Sequence, residues 1–339
     1  MDHTRVLLLF GGESSEHDVS VSSATNVNNA IDHDKYEVLP CYIDREGRWW
    51  LLDSFSDYSN LDTAKEASFS LGRGIYTVTG GQIRVDVILP ILHGKNGEDG
   101  SVQGLAQLLH IPIVGCDVVA SSICMDKVAT KEIVAMNNIN VVPYLVHRMG
   151  EAPANFDDAR QKLGVPLFIK PSRAGSSVGV SKVHDENEFS YALALAHSHD
   201  DTVLIEQAMT VREIEVAVMG TPPHHTTSTP GEVKPGAEFY SYDDKYAASS
   251  TSSISIPAEL DEDMAHRISK TASDVYGMIG CSGLARVDFF LEGDDILYLN
   301  EVNTLPGFTD ISMYPKLWQH DGINYDVLID KLIGDALRR

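Results

Sequence analysis

The chain has 339 residues, long enough for two or three domains with cores of their own. Hydrophobic residues make up 43% and charged residues 22%, the proportions of a folded globular protein, and no run approaches the ~18 apolar residues of a membrane span. Lys+Arg 26 against Asp+Glu 49 leaves a net charge of −23, which excludes a general affinity for nucleic acid or an anionic membrane surface, so an anionic ligand has to be held by a few placed cations.

The opening MDHTRVLLLFGGESSE has an apolar run too short for a signal-peptide core and no small-residue cleavage site, so a cytoplasmic location is expected. Within it, Arg5 to Phe10 reads as a buried parallel strand closed by Gly11-Gly12. A helix follows, apolar at Val21, Ala24, Val27 and Ala30, with serines able to cap its start. Strands at Tyr36 to Ile43 and Val85 to Leu92, a helix at Val102 to Leu109 and a short strand at Ile111 to Val114 continue the alternation. The first ~115 residues therefore predict an open parallel sheet whose carboxyl-end loops form a crevice.

The pattern then changes. Met125 to Met136 reads as a helix with Lys127 near its start, and Val165 to Lys170 as a strand ending in a small-residue loop before a strand at Val180 to Val183. A helix at Glu188 to His197 and strands at Thr202 to Gln207 and Glu213 to Met219 complete an α+β unit of antiparallel strands. Thr221 to Ile256 has no steady period and reads as a long loop with a tyrosine-rich tip. A helix at Glu259 to Met278, a hairpin within Gly283 to Gly307, a polar loop through Pro315 and a helix at Tyr325 to Leu337 close the chain. Cys41, Cys116, Cys124 and Cys281 lack CxxC spacing and read as reduced structural thiols.

Chemistry concentrates at a few of these places. In the hairpin, Arg286 and Asp288 share one face of the first strand, and Glu301 and Asn303 share one face of the second. A two-residue turn would set Arg286 opposite Glu301, with Asp288 on the diagonal. Such a face is either a Mg²⁺ site, which takes one or two carboxylates completed by phosphates and water, or a solvated surface with a cross-strand ion pair. KPSRAGSSVG, from Lys170, is either a phosphate cradle or a plain turn. Lys127, Glu206 and Glu213 have surface charge as their ordinary alternative, and His93 is either a base near neutrality or a hydrogen-bonded strand-end histidine.

Eight segments taken together resemble the D-alanine–D-alanine ligases of the ATP-grasp superfamily. They are GGESSEHDVS (11–20), LHGKNGEDGSVQG (92–104), MDK (125–127), KPSRAGSSVG (170–179), LIEQAM (204–209), FYSYDDKY (239–246), ARVDFF (285–290) and NEVNTLPGFTDISMYPKLW (300–318). The resemblance spans essentially the whole chain. It implies an N-terminal α/β domain over 1–116, a central ATP-grasp domain over 117–212 and a C-terminal ATP-grasp domain over 213–339, with a lid loop at 221–256 and a metal-binding hairpin at 283–307.

The reaction so implied starts when one D-alanine carboxylate attacks the γ-phosphate of ATP. The amine of a second D-alanine then displaces phosphate from the resulting acyl phosphate, giving D-alanyl-D-alanine for peptidoglycan precursors. By the same resemblance Asp288, Glu301 and Asn303 hold two Mg²⁺ ions, for which Mn²⁺ is an alternative, and a monovalent cation is compatible with the family. Lys127, Lys170 and Lys245 face the phosphates, and Glu206, Met209 and Glu213 fall where adenine and ribose are held. Glu16 receives the first ammonium, in a hydrogen-bonded set with Ser176 and Tyr246. Arg286, with the backbone of Gly307, stabilises the acyl oxygen. Ser312 and Met313 take the second carboxylate, and His93, in a family motif, falls among the substrate-binding residues.

Tyr246 favours an amine acceptor over a hydroxy acid, because relatives that use D-lactate differ at this loop. Asp18, Ala174 and Met313 depart from common family choices at the pocket's edges. A homodimer is the assembly the family implies. Other ATP-grasp carboxylate–amine ligases, and a two-lobed amino-acid-binding protein without turnover, are the competing readings.

Overall fold

Among the described residues three β-sheets carry the chain, and a shared helical layer joins the first to the third. The computed structural model describes residues 3–234 and 253–339. Lys245 and Tyr246, with the tip of the expected lid, lie outside the described residues.

In the N-terminal unit, β1 (Thr4–Gly11) lies between β2 (Tyr36–Ile43) and β7 (Val87–Ile91), parallel to both. Both faces of β1 are covered: Val6, Leu8 and Phe10 point to one core, Leu7 and Leu9 to another. That double burial is why the sequence shows a continuous apolar run instead of alternation. The parallel part stops at three strands. β3 (Trp49–Leu51), β4 (Lys65–Ser70), β5 (Gly74–Thr77) and β6 (Gln82–Ile83) extend it antiparallel, in the order β6-β5-β4-β3-β2-β1-β7. Short edge strands with polar residues carry little periodic signal, so the expected all-parallel sheet is mixed. The segment 111–114 adds only a single parallel bridge, Ile88 to Ile113.

Helix α1 (His17–Ala30) follows β1, but the serines do not cap it. Ser14 Oγ donates to the His93 carbonyl at 2.7 Å and accepts from the Glu16 N–H at 3.2 Å, tying two loops together. After α2 (Ser101–Leu109), the helix expected over Met125 to Met136 is α4 (Lys127–Ala135), and a further helix, α3 (Val118–Met125), precedes it. Asp126 separates the two: its carboxylate accepts the Val128 and Ala129 N–H groups, capping α4 and setting Lys127 as its first residue.

The central sheet has the order β10-β9-β11-β8, all antiparallel, from β8 (Tyr144–Arg148), β9 (Leu167–Pro171), β10 (Ser181–Val183) and β11 (Thr202–Gln207). Helices α5 (Phe156–Leu163) and α6 (Glu186–His197) cover one face through Ala159, Phe189 and Ala192. The third sheet is built on β12 (Arg212–Thr221), which pairs with β13 (His224–Thr227), β14 (Gly231–Lys234) and β16 (Leu284–Glu292). β15 (Ser253–Ser255) flanks β14, and β17 (Ile296–Asn303) flanks β16. The two ends of the long loop expected over Thr221 to Ile256 are therefore strands. α7 (Glu262–Ile279) buries Ile268, Ala272 and Val275 against this sheet, with α3 and α4 beside it.

The hairpin register differs from the expected one by two steps that compensate. Glu292 pairs with Ile296, so the turn holds three residues, and a bulge follows between Asp288 and Phe289 that leaves Asn300 unpaired. Either change alone would turn Glu301 and Asn303 to the other face; together they keep all four polar side chains on one side. Asp288 stands opposite Glu301, and Arg286 opposite Asn303. Gly283, at φ +73, begins the hairpin where a side chain would meet the Gly115 backbone at 2.8 Å. The polar stretch before Pro315 contains the start of α8 (Met313–His320), which with α9 (Tyr325–Arg338) forms the layer joining the first and third sheets.

Candidate active site

A cleft of about 710 Å³ opens between these units. Its walls include Glu16, His93, Lys127, Ser176, Glu213, Arg286, Asp288, Glu301, Asn303, Gly307, Ser312 and Met313, drawn from all three parts of the chain. Lys170, Glu206 and Met209 are not on these walls: the first two pair under the central sheet's surface, and Met209 is half-buried in the connection from β11 to β12. Within that connection the N–H groups of Gln207 and Ala208 already donate to the Pro143 and Pro166 carbonyls.

The acidic face forms one row across three strands. Glu215 on β12 stands opposite Asp288 on β16, which stands opposite Glu301 on β17. Arg286 neutralises much of it: Nε and Nη2 each donate to Asp288 at 2.7 Å, and Nε lies 2.9 Å from Glu215 Oε2. Burial disfavours its charge, but Asp288, Glu215 and Glu301 outweigh burial and hold the guanidinium well above its ordinary range. Asn303 Nδ2 donates to Asp288 at 2.8 Å, and Lys127 Nζ lies 3.7 Å from Glu301 Oε2. Among the described residues no cluster of three or more Asp, Glu, His or Cys is preassembled for a metal. Two carboxylates and an amide on one face still fit Mg²⁺, whose remaining positions phosphate and water fill.

The loop after Lys170 is anchored at both ends. The Arg173 N–H donates to Asp200 at 2.7 Å, while Lys127 Nζ donates to the Ala174 carbonyl at 2.7 Å. Ser176 and Ser177 take left-handed backbone, φ +48 and +59, a conformation that costs about 1 kcal/mol or more in a non-glycine residue and gathers at binding sites. It aims Ser176 Oγ at Glu16, to which it donates a hydrogen bond between segments 160 residues apart.

Burial pulls the His93 imidazole below its ordinary range despite the attraction of Glu16. Nδ1 donates to the Leu305 carbonyl at 3.0 Å, leaving Nε2 to accept from Ser23 at 3.4 Å. Ser23 Oγ in turn accepts the Phe308 N–H at 3.3 Å, so the neutral ring pins the 305–308 loop to α1. In that loop a side chain at Gly307 would come within 2.7 Å of Ser312 Oγ. Ser312 stands at the α8 N-terminus, where its hydroxyl accepts the Thr309 N–H at 2.9 Å.

Three ionisable groups were not among the expected site residues. Glu98 shares the cleft; burial and then the charge of Glu16 push its carboxyl up to about 8. Glu215 is signalled only by the E-x-E spacing of Glu213 and Glu215, which puts both on one strand face. Lys131 follows Lys127 by four residues on α4 and reaches Glu206.

A ligase that brings a carboxylate up to the γ-phosphate of ATP must first neutralise two like charges, and the fold of this chain is that of the ATP-grasp ligases. The chain belongs to the D-alanine–D-alanine ligase family: models described as "D-ala D-ala ligase N-terminus" and "D-ala D-ala ligase C-terminus" match residues 5–116 and 133–334. The D-alanine–D-alanine ligase of Sodalis glossinidius is 44% identical over 97% of this chain and 94% of its own. Ligase A of Escherichia coli K12 is 41% identical over 100% and 97%. Among solved structures, the VanG D-Ala:D-Ser ligase of Enterococcus faecalis superposes with TM-score 0.90 at 34% identity, covering 99% of this chain and 100% of that one. The D-alanine–D-alanine ligase of Coxiella burnetii gives TM-score 0.90 at 33%, covering 100% and 95%.

Proposed function

We propose that the protein joins two D-alanines at the cost of ATP, and that the row Glu215–Asp288–Glu301, with Arg286 and Lys127 set against it, carries the reaction. The first carboxylate attacks the γ-phosphate, ADP leaves, and the amine of the second D-alanine attacks the acyl carbon of D-alanyl phosphate as phosphate departs. Both steps bring anions together, so positioned cations lower the barrier.

In this reading Glu16, hydrogen-bonded to Ser176, receives the first ammonium. Arg286 leaves Asp288 to face the acyl oxygen beside the Gly307 backbone, keeping Glu215 as its anchor. Ser312 and Met313 offer a helix N-terminus to the second carboxylate, where backbone N–H groups and the helix dipole favour an anion. Asp288, Glu301 and Asn303 would hold Mg²⁺, or Mn²⁺, which supplies charge neutralisation of the phosphates. Lys127 and Lys170 face the phosphates, with Glu206, Met209 and Glu213 toward adenine and ribose. Lys245 and Tyr246 belong to the same reading from sequence alone. His93 acts as a strut. Domains at 1–116, 117–212 and 213–339, two metal ions, a cytoplasmic location and a homodimer complete it.

Phosphate release from Mg-ATP is the test, with D-alanine, D-serine, L-alanine and D-lactate as substrates. Turnover with D-alanine and little with L-alanine or D-lactate is expected; no release with D-alanine sinks the reading. Asp288→Asn and Glu301→Gln should each lower kcat by roughly 10³-fold while the circular dichroism spectrum stays that of the wild type.

A further inference from the structure

Lys131 is fully buried, an unusual place for a lysine, and its Nζ lies 2.9 Å from Glu206 Oε1. Burial pulls the ammonium below its ordinary range, and the Glu206 charge works against that. The same ammonium sits 5.8 Å from the centre of the Tyr144 ring. The other carboxylate oxygen, Glu206 Oε2, is 2.6 Å from Lys170 Nζ. One buried carboxylate is thus flanked by two ammonium groups, a local surplus of positive charge in a chain of net charge −23.

A single lysine would be enough to neutralise Glu206, and an apolar residue at 131 would avoid burying a second charge. The surplus has a use if Lys170 has to move. Were Lys170 the only counter-ion, turning it toward a phosphate would strand a buried carboxylate, and Glu206 would hold it back. We propose that Lys131 is a positioning residue for nucleotide binding: it keeps Glu206 neutralised, so that Lys170 is released to the phosphates of ATP. The anionic ligand then meets a cluster whose charge is already complementary, and the carboxylate keeps a partner in both states. The inference rests on Lys170 being a phosphate-facing residue.

ATP dissociation constants, measured by calorimetry on the full chain without D-alanine, test it. Lys131→Met is expected to weaken ATP binding about tenfold or more, with KM for D-alanine within about twofold of wild type. In a Glu206→Gln background Lys170 is no longer clamped, and adding Lys131→Met should change ATP affinity less than about twofold. This second comparison has no stranded carboxylate and stands even where Lys131→Met alone does not fold. ATP affinity unchanged by Lys131→Met, or an equal loss in both backgrounds, overturns the proposal. A separate Lys170→Met variant with normal ATP affinity would instead sink the reading of Lys170 on which the inference rests.

Discussion

Glu98 sits in the cleft as a carboxyl that prefers to keep its proton. Burial and the neighbouring Glu16 move its folded pKa from 4.5 to about 8. A raised acid contributes stability that is fully present below its unfolded pKa and is lost as pH rises through about 8. Glu98→Gln mimics the neutral acid and removes that loss. Thermal melts of the ligand-free chain should therefore show the variant gaining on wild type as pH rises from 4.5 to about 8 and levelling off above; a Tm difference independent of pH counts against it. Glu206 is the opposite case: burial would raise it, but Lys131 and Lys170 prevail and hold it to about 2. Its contribution is present above 4.5 and lost only as pH falls through about 2. Both glutamates look alike in the sequence, since the charges that separate them arrive from residues far along the chain.

Helix α4 shows how one local choice serves both fold and cleft. Asp126 ends α3, caps α4 and accepts the Ser172 hydroxyl at 2.7 Å, so the Lys127 side chain starts from a rigid point. Asp126→Ala should cost about 1–2 kcal/mol, read as a lower urea midpoint at unchanged m-value. No shift would mean the cap is idle. The helix expected over Met125 to Met136, with Lys127 near its start, is α4 to within two residues at either end, whereas α3 was not expected. In the hairpin, the residues sharing a face were legible from alternation, whereas the partners were not. A third turn residue and an unpaired Asn300 reset who stands opposite whom, and neither changes the alternation on β16.

At the scale of the molecule, the first and third units share a core that ignores the linear division of the chain, while the central sheet keeps a core of its own. Phe10 and Ala24 from the first unit share one cluster with Ala217 of the third sheet and with Tyr314, Trp318 and Leu332 of the last two helices. Arg339 adds bonds to the Ile113 and Gly115 carbonyls at 2.9 Å each. Glu16 and Arg286 are carried by the two units this core welds together. Leu332→Ala, at a site 1% exposed, should cost about 2–5 kcal/mol and lower the melting of both units together. Two separate transitions, one unshifted, would show that the units unfold independently.

The amino-acid order alone settled the strand–helix alternation of the first unit, the hairpin with its polar face, and the eight segments that mark the family. These signals are local: hydrophobic period, turn chemistry and motif spelling lie within a few residues of one another. Folding supplied the row Glu215–Asp288–Glu301, the Glu16–Ser176 contact and the burial of Lys131 beside Glu206. Each depends on strand register or on contact between distant segments, and a pKa or an ion pair follows from such neighbours, not from the residue's own identity.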